Sequence, residues 1–389
     1  MAVSYVDRQA FSFLSVKVTE DLGISNAEYG WLLLAFSLAY LVATPLGGWW
    51  IDRIGARRGL VVSVLVWSAV AALHCFANGL VMLFVLRIAL GIAEGPSFPG
   101  SAQTVQRALP PGERARGFGV LFTGSSVGGM IVPPLAAALF ALYGWRIAFV
   151  GTAVIGLVWV PLWIAATRQR GVRAVLDEVV DTGPGEPRAT FGELVRHPIM
   201  IRALVAVLAA APVFGFVLGW GSKHLNRTFG VTQVEAGAYL WLPPLAFDLG
   251  AIAFGDLASR QRRAEGAPPR LLFALAIPLA ASLALVPLVA SPWAGTALMA
   301  TAMAGGGGMY TLATADLLSR MPRGSVSFAS GILASSQSLA LIVMNPLVGM
   351  AVDRYGSFDL PTTVLGLWAI PGALIWIAWR PARHFSARS

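Results

Sequence analysis

Apolar runs of about twenty residues, separated by short blocks of arginine, recur along the whole chain. This alternation limits what the chain can fold into more than any other feature. A membrane-spanning helix needs about 20 mostly apolar residues. Such runs lie near 29–51, 59–78, 80–106, 115–138, 145–167, 201–220, 234–257, 270–290, 292–318, 326–351 and 358–380. The opening segment, 1–18, is apolar apart from Asp7, Arg8, Gln9 and Lys17, and counted as a helix it brings the total to twelve. Of the 389 residues 57% are apolar and only 12% charged, against about 25% charged in a soluble domain. A soluble core of this size needs a polar shell, and there is too little charge to make one. The expectation is an all-α membrane protein; a soluble enzyme, a nucleic-acid-binding domain and a disordered chain are excluded. Cys75 is the single cysteine, so there is no disulfide framework or multi-cysteine metal site, and its apolar surroundings predict a buried thiol.

The formal charge of +9 is a topology signal. If span ends alternate sides, 21 of the 28 basic residues collect on one side and five on the other, with Arg8 and Arg87 left inside spans. Basic loops face the cytoplasm, so both termini and the 168–200 loop are predicted there, in a cell membrane (for a bacterium, the inner one). That loop is polar with a Gly/Pro-rich core and reads as an interdomain linker carrying at most a short surface helix. His197 in it is read as solvated.

The two halves of the chain align with each other. Gly23-Ile-Ser-Asn-Ala-Glu28-Tyr-Gly30 matches Gly230-Val-Thr-Gln-Val-Glu235-Ala-Gly237, Gly48 meets Gly255 and Arg53 meets Arg260. After a five-residue insertion in the RQRRAEGAPPR loop, Gly112, Gly119, Pro134 and Leu135 meet Gly324, Gly331, Pro346 and Leu347. Six spans per repeat put both halves the same way up, which predicts two parallel six-helix bundles, 1–167 and 201–389, with a site near the membrane midplane exposed alternately to each side. The repeat also predicts that the first helix is clipped: the start that matches the beginning of the seventh span, near Ile201, falls before Met1.

Gly48-Trp-Trp-Ile-Asp52-Arg53-Ile-Gly55-Ala-Arg57-Arg58 resembles the loop between spans two and three of the major facilitator superfamily. A degenerate copy stands at Gly255-Asp256-Leu-Ala-Ser-Arg260. The resemblance implies a gating role for Asp52, Arg53, Arg57 and Arg58, with Asp52 accepting hydrogen bonds from neighbouring helix ends and arginines. Tyr5-Val-Asp7-Arg8-Gln9, Phe36-Ser-Leu-Ala-Tyr40, Arg87-Ile-Ala-Leu-Gly-Ile-Ala-Glu94-Gly-Pro-Ser-Phe-Pro99 and Ser125-Ser-Val-Gly are similar to the anion:cation symporter family, which includes hexuronate, galactonate, glucarate and sialin-like carriers. Trp220-Gly-Ser-Lys223-His-Leu225 resembles a stretch of hexuronate-type members but departs from it at Gly221-Ser222. Ser125 stands where some sugar-acid carriers have Gln.

Charges within spans carry the chemical argument. A charged side chain at a helix centre costs about 2.5–3.5 kcal/mol even on the mildest scale, so Asp7, Arg8, Arg87 and Glu94 must face a bundle interior or a watered cavity. Arg87 and Glu94, seven positions apart, share a helix face about 10 Å apart along the axis, too far for a direct pair unless both side chains lean together. Arg8 and Arg87 offer planar forks for a carboxylate. Asp7 and Glu94 beside them can change protonation as the arginines engage or release an anion. By the resemblance, Asp7 and Glu94 couple protons and Tyr5 and Tyr40 bond substrate. Ser125, Lys223 and Gln337 join the substrate-binding set, and Asp248 is a further candidate. The bland alternatives are that Asp7–Arg8 and Arg87–Glu94 are structural ion pairs, and that Tyr5 and Tyr40 are packed aromatics. Gly305–Gly308 is read as close helix packing or a hinge.

Together these readings predict a proton-coupled importer of a small organic anion, a sugar acid or related carboxylate, working as a monomer in the lipid bilayer by alternating access. No cofactor, metal, nucleic-acid partner or enzymatic activity is expected. One rival is a drug/proton efflux carrier of the same fold, which two cavity arginines disfavour. The other is a non-transporting sensor or membrane enzyme, for which no nucleophile–base set or signalling domain is present.

Overall fold

A computed structural model describes residues 1–110, 113–177, 190–261, 268–321 and 326–379. The insertion around 262–267 and the Gly/Pro-rich core of the linker, 178–189, lie outside the described residues, as do Arg323 and the basic tail from 380. Among the described residues the regular structure is helical: α1 (Ala2–Phe13), α2 (Ser15–Asp21), α3 (Asn26–Ile54), α4 (Ala56–Leu73), α5 (Leu80–Glu94), α6 (Ser97–Ala108), α7 (Arg114–Ala166), α8 (Arg170–Asp177), α9 (Phe191–Arg196), α10 (Pro198–Phe229), α11 (Leu242–Arg260), α12 (Arg270–Ala281), α13 (Pro292–Leu318), α14 (Val326–Tyr355) and α15 (Asp359–Ala378).

Nine stretches of the described residues are long and apolar enough to cross a membrane. One of them holds two helices, because α7 turns at Gly144, whose φ of 76° places it in the left-handed region that glycine enters without a Cβ penalty. Adding the α1–α2 segment and α13 recovers the twelve spans. Many large apolar side chains stand exposed along these helices, among them Leu46, Val81, Leu142, Ile252, Leu271 and Val343. Such a surface is suited to lipid and not to water.

Among the described residues several spans are broken where hydropathy ran on unbroken. The first bends at Leu14, between α1 and α2. The span expected over 80–106 divides at Gly95-Pro96 into α5 and α6, because Pro96 has no N–H to donate and its ring crowds the preceding turn. The thiol expected to be buried is instead half-buried, since Cys75 falls in the short 3-10 turn His74–Phe76 that ends α4.

The chain divides into two compact units. Unit 1 comprises Met1–Asp181, Leu218–Pro244 and Asn345–Ser357; unit 2 comprises Thr182–Val217, Leu245–Met344 and Phe358–Ser389. In unit 1 an apolar core gathers Phe36, Val64, Trp67, Ala71, Leu90, Ala153 and Val160. Two contacts between small residues set its geometry. Gly91 of α5 and Gly95, which caps its end, lie against α3, where a Cβ on Gly91 would meet the Phe36 carbonyl oxygen at 2.6 Å and one on Gly95 the Ala43 backbone at 2.7 Å. Gly124 and Gly128 of α7 lie against α1, a Cβ on Gly128 falling 3.0 Å from Tyr5 Cβ. Both are small-x-x-x-small seams, which let membrane helices approach at backbone distance. In unit 2, α10, α11, α12, α13 and α15 form a core around Phe254, Phe273, Met309 and Trp376.

Candidate functional site

The glycine seams of unit 1 decide which side chains meet. Packing α5 on α3 sets Arg87 and Glu94 against Phe36 and Tyr40; packing α1 on α7 aims Tyr5, Asp7 and Arg8 into the same space. The Arg8 guanidinium donates from Nη2 to Glu94 Oε2 at 2.8 Å. Three rings box it in, with centroids 5.0 Å away for Tyr5 and 4.7 Å for both Phe36 and Tyr40. Arg87 shares one of these rings: its guanidinium lies 4.9 Å from the Phe36 centroid and 4.4 Å from that of Phe11. Ring faces attract a guanidinium by about 0.5–2 kcal/mol, most when desolvated.

Hydrogen bonding in this cluster is incomplete. Arg87 is 1% exposed, and its Nε and Nη2 have no hydrogen-bond partner among the described residues. Neither do Arg8 Nε, Glu94 Oε1 or either carboxylate oxygen of Asp7. Trp67 stands next to Asp7, its indole Nε1 also without a partner. Removing one partner from a buried ion pair costs several kcal/mol, so a buried guanidinium with two nitrogens left without hydrogen bonds is a costly arrangement. Neither Asp7–Arg8 nor Arg87–Glu94 forms the direct ion pair of the bland alternative; the pair that forms is Arg8–Glu94, between α1 and α5.

Of the other residues singled out in the sequence, Ser125 lies beside Tyr5 and joins this cluster. Lys223 does not. Its Nζ donates to Thr19 Oγ1 at 2.7 Å and Asn26 Oδ1 at 3.1 Å, at the ends of α2 and α3. Gln337 belongs to unit 2, where it lines a separate recess. Where α3 ends and α4 begins, Asp52 accepts from Gln103 Nε2 at 2.6 Å, Arg53 lies 3.6 Å over the Trp49 ring, Arg57 Nε donates to Thr167 Oγ1 at 3.2 Å, and Arg58 is exposed.

A model of the Major Facilitator Superfamily matches residues 1–344. The chain belongs to the major facilitator superfamily. It is therefore a multi-pass membrane transporter and not an enzyme. The chain is 28% identical to a D-galactonate transporter of Escherichia coli O6:H1, over 97% of this chain and 92% of that one. It is 27% identical to a hexuronate transporter of Bacillus subtilis, over 92% and 86%. A solved bacterial homolog of the human lysosomal transporter Spinster, inward-facing and occupied, superposes with a TM-score of 0.75 at 16% identity, covering 98% of this chain and 96% of the other. That likeness shows the fold.

Three features of this facilitator escaped the sequence reading. Phe36, the ring common to both guanidinium groups, was read only as part of the Phe36–Tyr40 motif and given no role of its own. A second Gly-x-x-x-Asp-Arg-x-Gly stretch, Gly349 to Gly356, has the spacing of Gly48 to Gly55. Its Asp353 accepts from Asn26 N at 3.2 Å, Asn26 Nδ2 at 2.8 Å and Ala27 N at 2.7 Å, and so clamps the N-terminus of α3, where an anion is favoured. Arg202 and Arg320, counted as loop cations, are buried in unit 2 because both reach the Asp316 carboxylate.

Proposed function

We propose that this transporter imports a small organic anion, a carboxylate, together with protons, by alternating access of two six-helix bundles, 1–167 and 201–389, whose termini face the cytoplasm. Proximity to sugar-acid carriers supports the substrate class, and the arginine distribution supports the orientation. One observation carries the reading: Arg87 is a fully buried guanidinium with two unpartnered nitrogens, a few ångströms from a ring it shares with Arg8.

The coupling follows from the Arg8–Glu94 bond. While Glu94 is ionised it occupies one arm of the Arg8 fork. Protonation removes its charge and loosens that hold, so the substrate carboxylate takes the fork and reaches Arg87 as well. Asp7, unpartnered on both oxygens, is the second proton carrier. Tyr5, Tyr40 and Ser125 offer hydroxyls at the rim. Release of substrate to the cytoplasm returns Arg8 to Glu94 and expels the proton.

Anion-dependent thermal stabilisation of the purified protein tests the receptor. Arg87→Ala is expected to weaken carboxylate binding by about a hundredfold or more, the scale of a lost buried charge partner. Wild-type affinity in that variant would refute the assignment.

A further inference from the structure

Helix α4 carries a row of buried polar groups that the anion receptor leaves unused. Ser63, Trp67, Ser68 and His74 are each 3% exposed or less. Ser63 Oγ, Trp67 Nε1, Ser68 Oγ and His74 Nε2 have no hydrogen-bond partner among the described residues, although buried polar groups nearly always find one. Hydroxyls within helices commonly turn back to a carbonyl one turn earlier, as Ser37 does to Leu33 O at 2.9 Å and Thr44 to Tyr40 O at 2.7 Å. Ser63 and Ser68 do not. At 3.6 residues per turn Ser63, Trp67 and His74 fall on one line along α4, about 16 Å long, with Ser68 on its flank. Helices α1 and α7 line this row. A Cβ on Gly156 of α7 would meet Ser68 Oγ and Val3 Cγ1, Trp67 stands next to Asp7, and the His74 ring lies 6.1 Å from Phe11 and 5.3 Å from Phe149. Asp7, with both carboxylate oxygens unpartnered, is one turn from Phe11, about 6 Å along the axis from the level of His74.

The tautomer of His74 is set by its own helix. Nδ1 lies 2.9 Å from Val70 O, which can only accept, so Nδ1 carries the hydrogen and Nε2 of the neutral ring is a bare acceptor. Arg87 of α5 is the cation beside this ring, and the role argued here uses the neutral ring alone. Unpaired donors and acceptors that lead to an unpaired carboxylate are a setting for ordered water, which makes about three hydrogen bonds to such groups. Chains of this kind serve as proton relays in membrane proteins. We propose that waters held by His74 Nε2 on one side, and by Trp67 Nε1 and the Ser68 hydroxyl on the other, lead protons inside unit 1 from the Cys75 end of α4 to Asp7. By the orientation proposed above this is the outer end. A proton arrives on the water bonded to His74 Nε2, each water takes one hydrogen and passes another on, and the last forms the O–H bond of Asp7. No charge stays on the ring, so His74 is a positioning residue. The inference rests on the reading of the chain as a proton-coupled carrier and gives its second proton carrier a supply that does not pass through the arginine pair.

Two measurements on the full-length protein test this. Radiolysis in heavy-oxygen water, read by mass spectrometry, labels buried side chains that touch water. His74 and Trp67 of the wild type are expected to take up the label well above Trp220, a buried indole that donates to Asn345 Oδ1 at 3.0 Å. Labelling no greater than that of Trp220 overturns the water path, whether or not any variant folds. The second measurement uses proteoliposomes with an inward proton gradient, and radiolabelled D-galactonate and D-glucuronate as probes. His74→Leu is expected to slow gradient-driven uptake by about tenfold or more while leaving counterflow, which needs no net proton movement, unchanged. His74→Gln, which keeps an acceptor near the place of Nε2 and does not titrate, is expected to restore most of the uptake. Elution profile and unfolding temperature check the folding of both. Wild-type gradient-driven uptake in a folded His74→Leu overturns this path and leaves the carrier reading intact, and so does a folded His74→Gln as slow as His74→Leu. No gradient-driven uptake of either probe by the wild-type protein overturns the proton-coupled reading itself, and this inference with it.

Discussion

Glu94 holds the most consequential contact in unit 1, because its carboxylate occupies the guanidinium that the substrate is proposed to need. Replacing it with Gln keeps the shape and removes the titration. Glu94→Gln is expected to abolish accumulation driven by a pH gradient while preserving anion binding and exchange of internal for external substrate; counterflow and gradient-driven uptake measured side by side would show the split. Phe36 gives a second expectation at this scale. Phe36→Leu removes the ring face shared by Arg8 and Arg87 and is expected to weaken anion affinity by about tenfold, on the scale of one or two cation–π contacts. The candidate site residues stand out in the sequence, since ionisable groups inside apolar runs are conspicuous. Their pairing does not. Arg8 has a neighbouring acid at Asp7, and Glu94 has an arginine two turns away on its own helix. That Arg8 takes Glu94 instead follows from how α1, α3, α5 and α7 cross, which hydropathy does not encode.

At the scale of helices, small residues decide that crossing. Gly95→Leu sets a side chain against the Ala43 backbone, where even a Cβ would stand at 2.7 Å. It is expected to destabilise the protein by about 1–3 kcal/mol, as overpacking does, and to lower anion affinity by displacing α5. Gly306→Ala, on an open face, is expected to be neutral or to raise stability by up to about 1 kcal/mol; unfolding temperatures in one detergent compare the two. The seams were present in the sequence as Gly91-x-x-x-Gly95 and Gly124-x-x-x-Gly128, but in a chain with 42 glycines the spacing alone does not say which pairs meet a partner. The break at Gly95-Pro96 was similarly hidden, since both halves of the span are apolar. In the linker, the start of α9 is closed by a capping box in which Glu193 accepts from Thr190 N at 2.7 Å and Thr190 Oγ1 at 2.9 Å. These bonds hold the Glu193 carboxyl below the usual range. A depressed acid stabilises above its unfolded pKa and loses that contribution as pH falls through its folded one. The amides of α9 are therefore expected to lose hydrogen-exchange protection on acidification below about pH 4, and in Glu193→Gln this step is expected to vanish.

For the whole molecule, twelve spans and the superfamily were readable from apolar runs, arginine blocks and the loop at Gly48–Arg58, because membrane insertion leaves so few alternatives. The clamp at Asp353 was not read, although its motif repeats that loop's spacing; it ties the end of α14 to the start of α3. Asp353→Ala is expected to raise amide exchange at the start of α3, with a loss of about 1–2 kcal/mol typical of a charged cap. The account as a whole stands on the two guanidinium groups of unit 1 forming one anion receptor linked to proton movement. Uptake of a labelled carboxylate into proteoliposomes under an imposed inward proton gradient, for the wild type and for Arg8→Ala and Arg87→Ala separately, measures this most directly. Gradient-driven accumulation in the wild type and its loss in each variant is the expected result. Accumulation that persists in either arginine variant would contradict it.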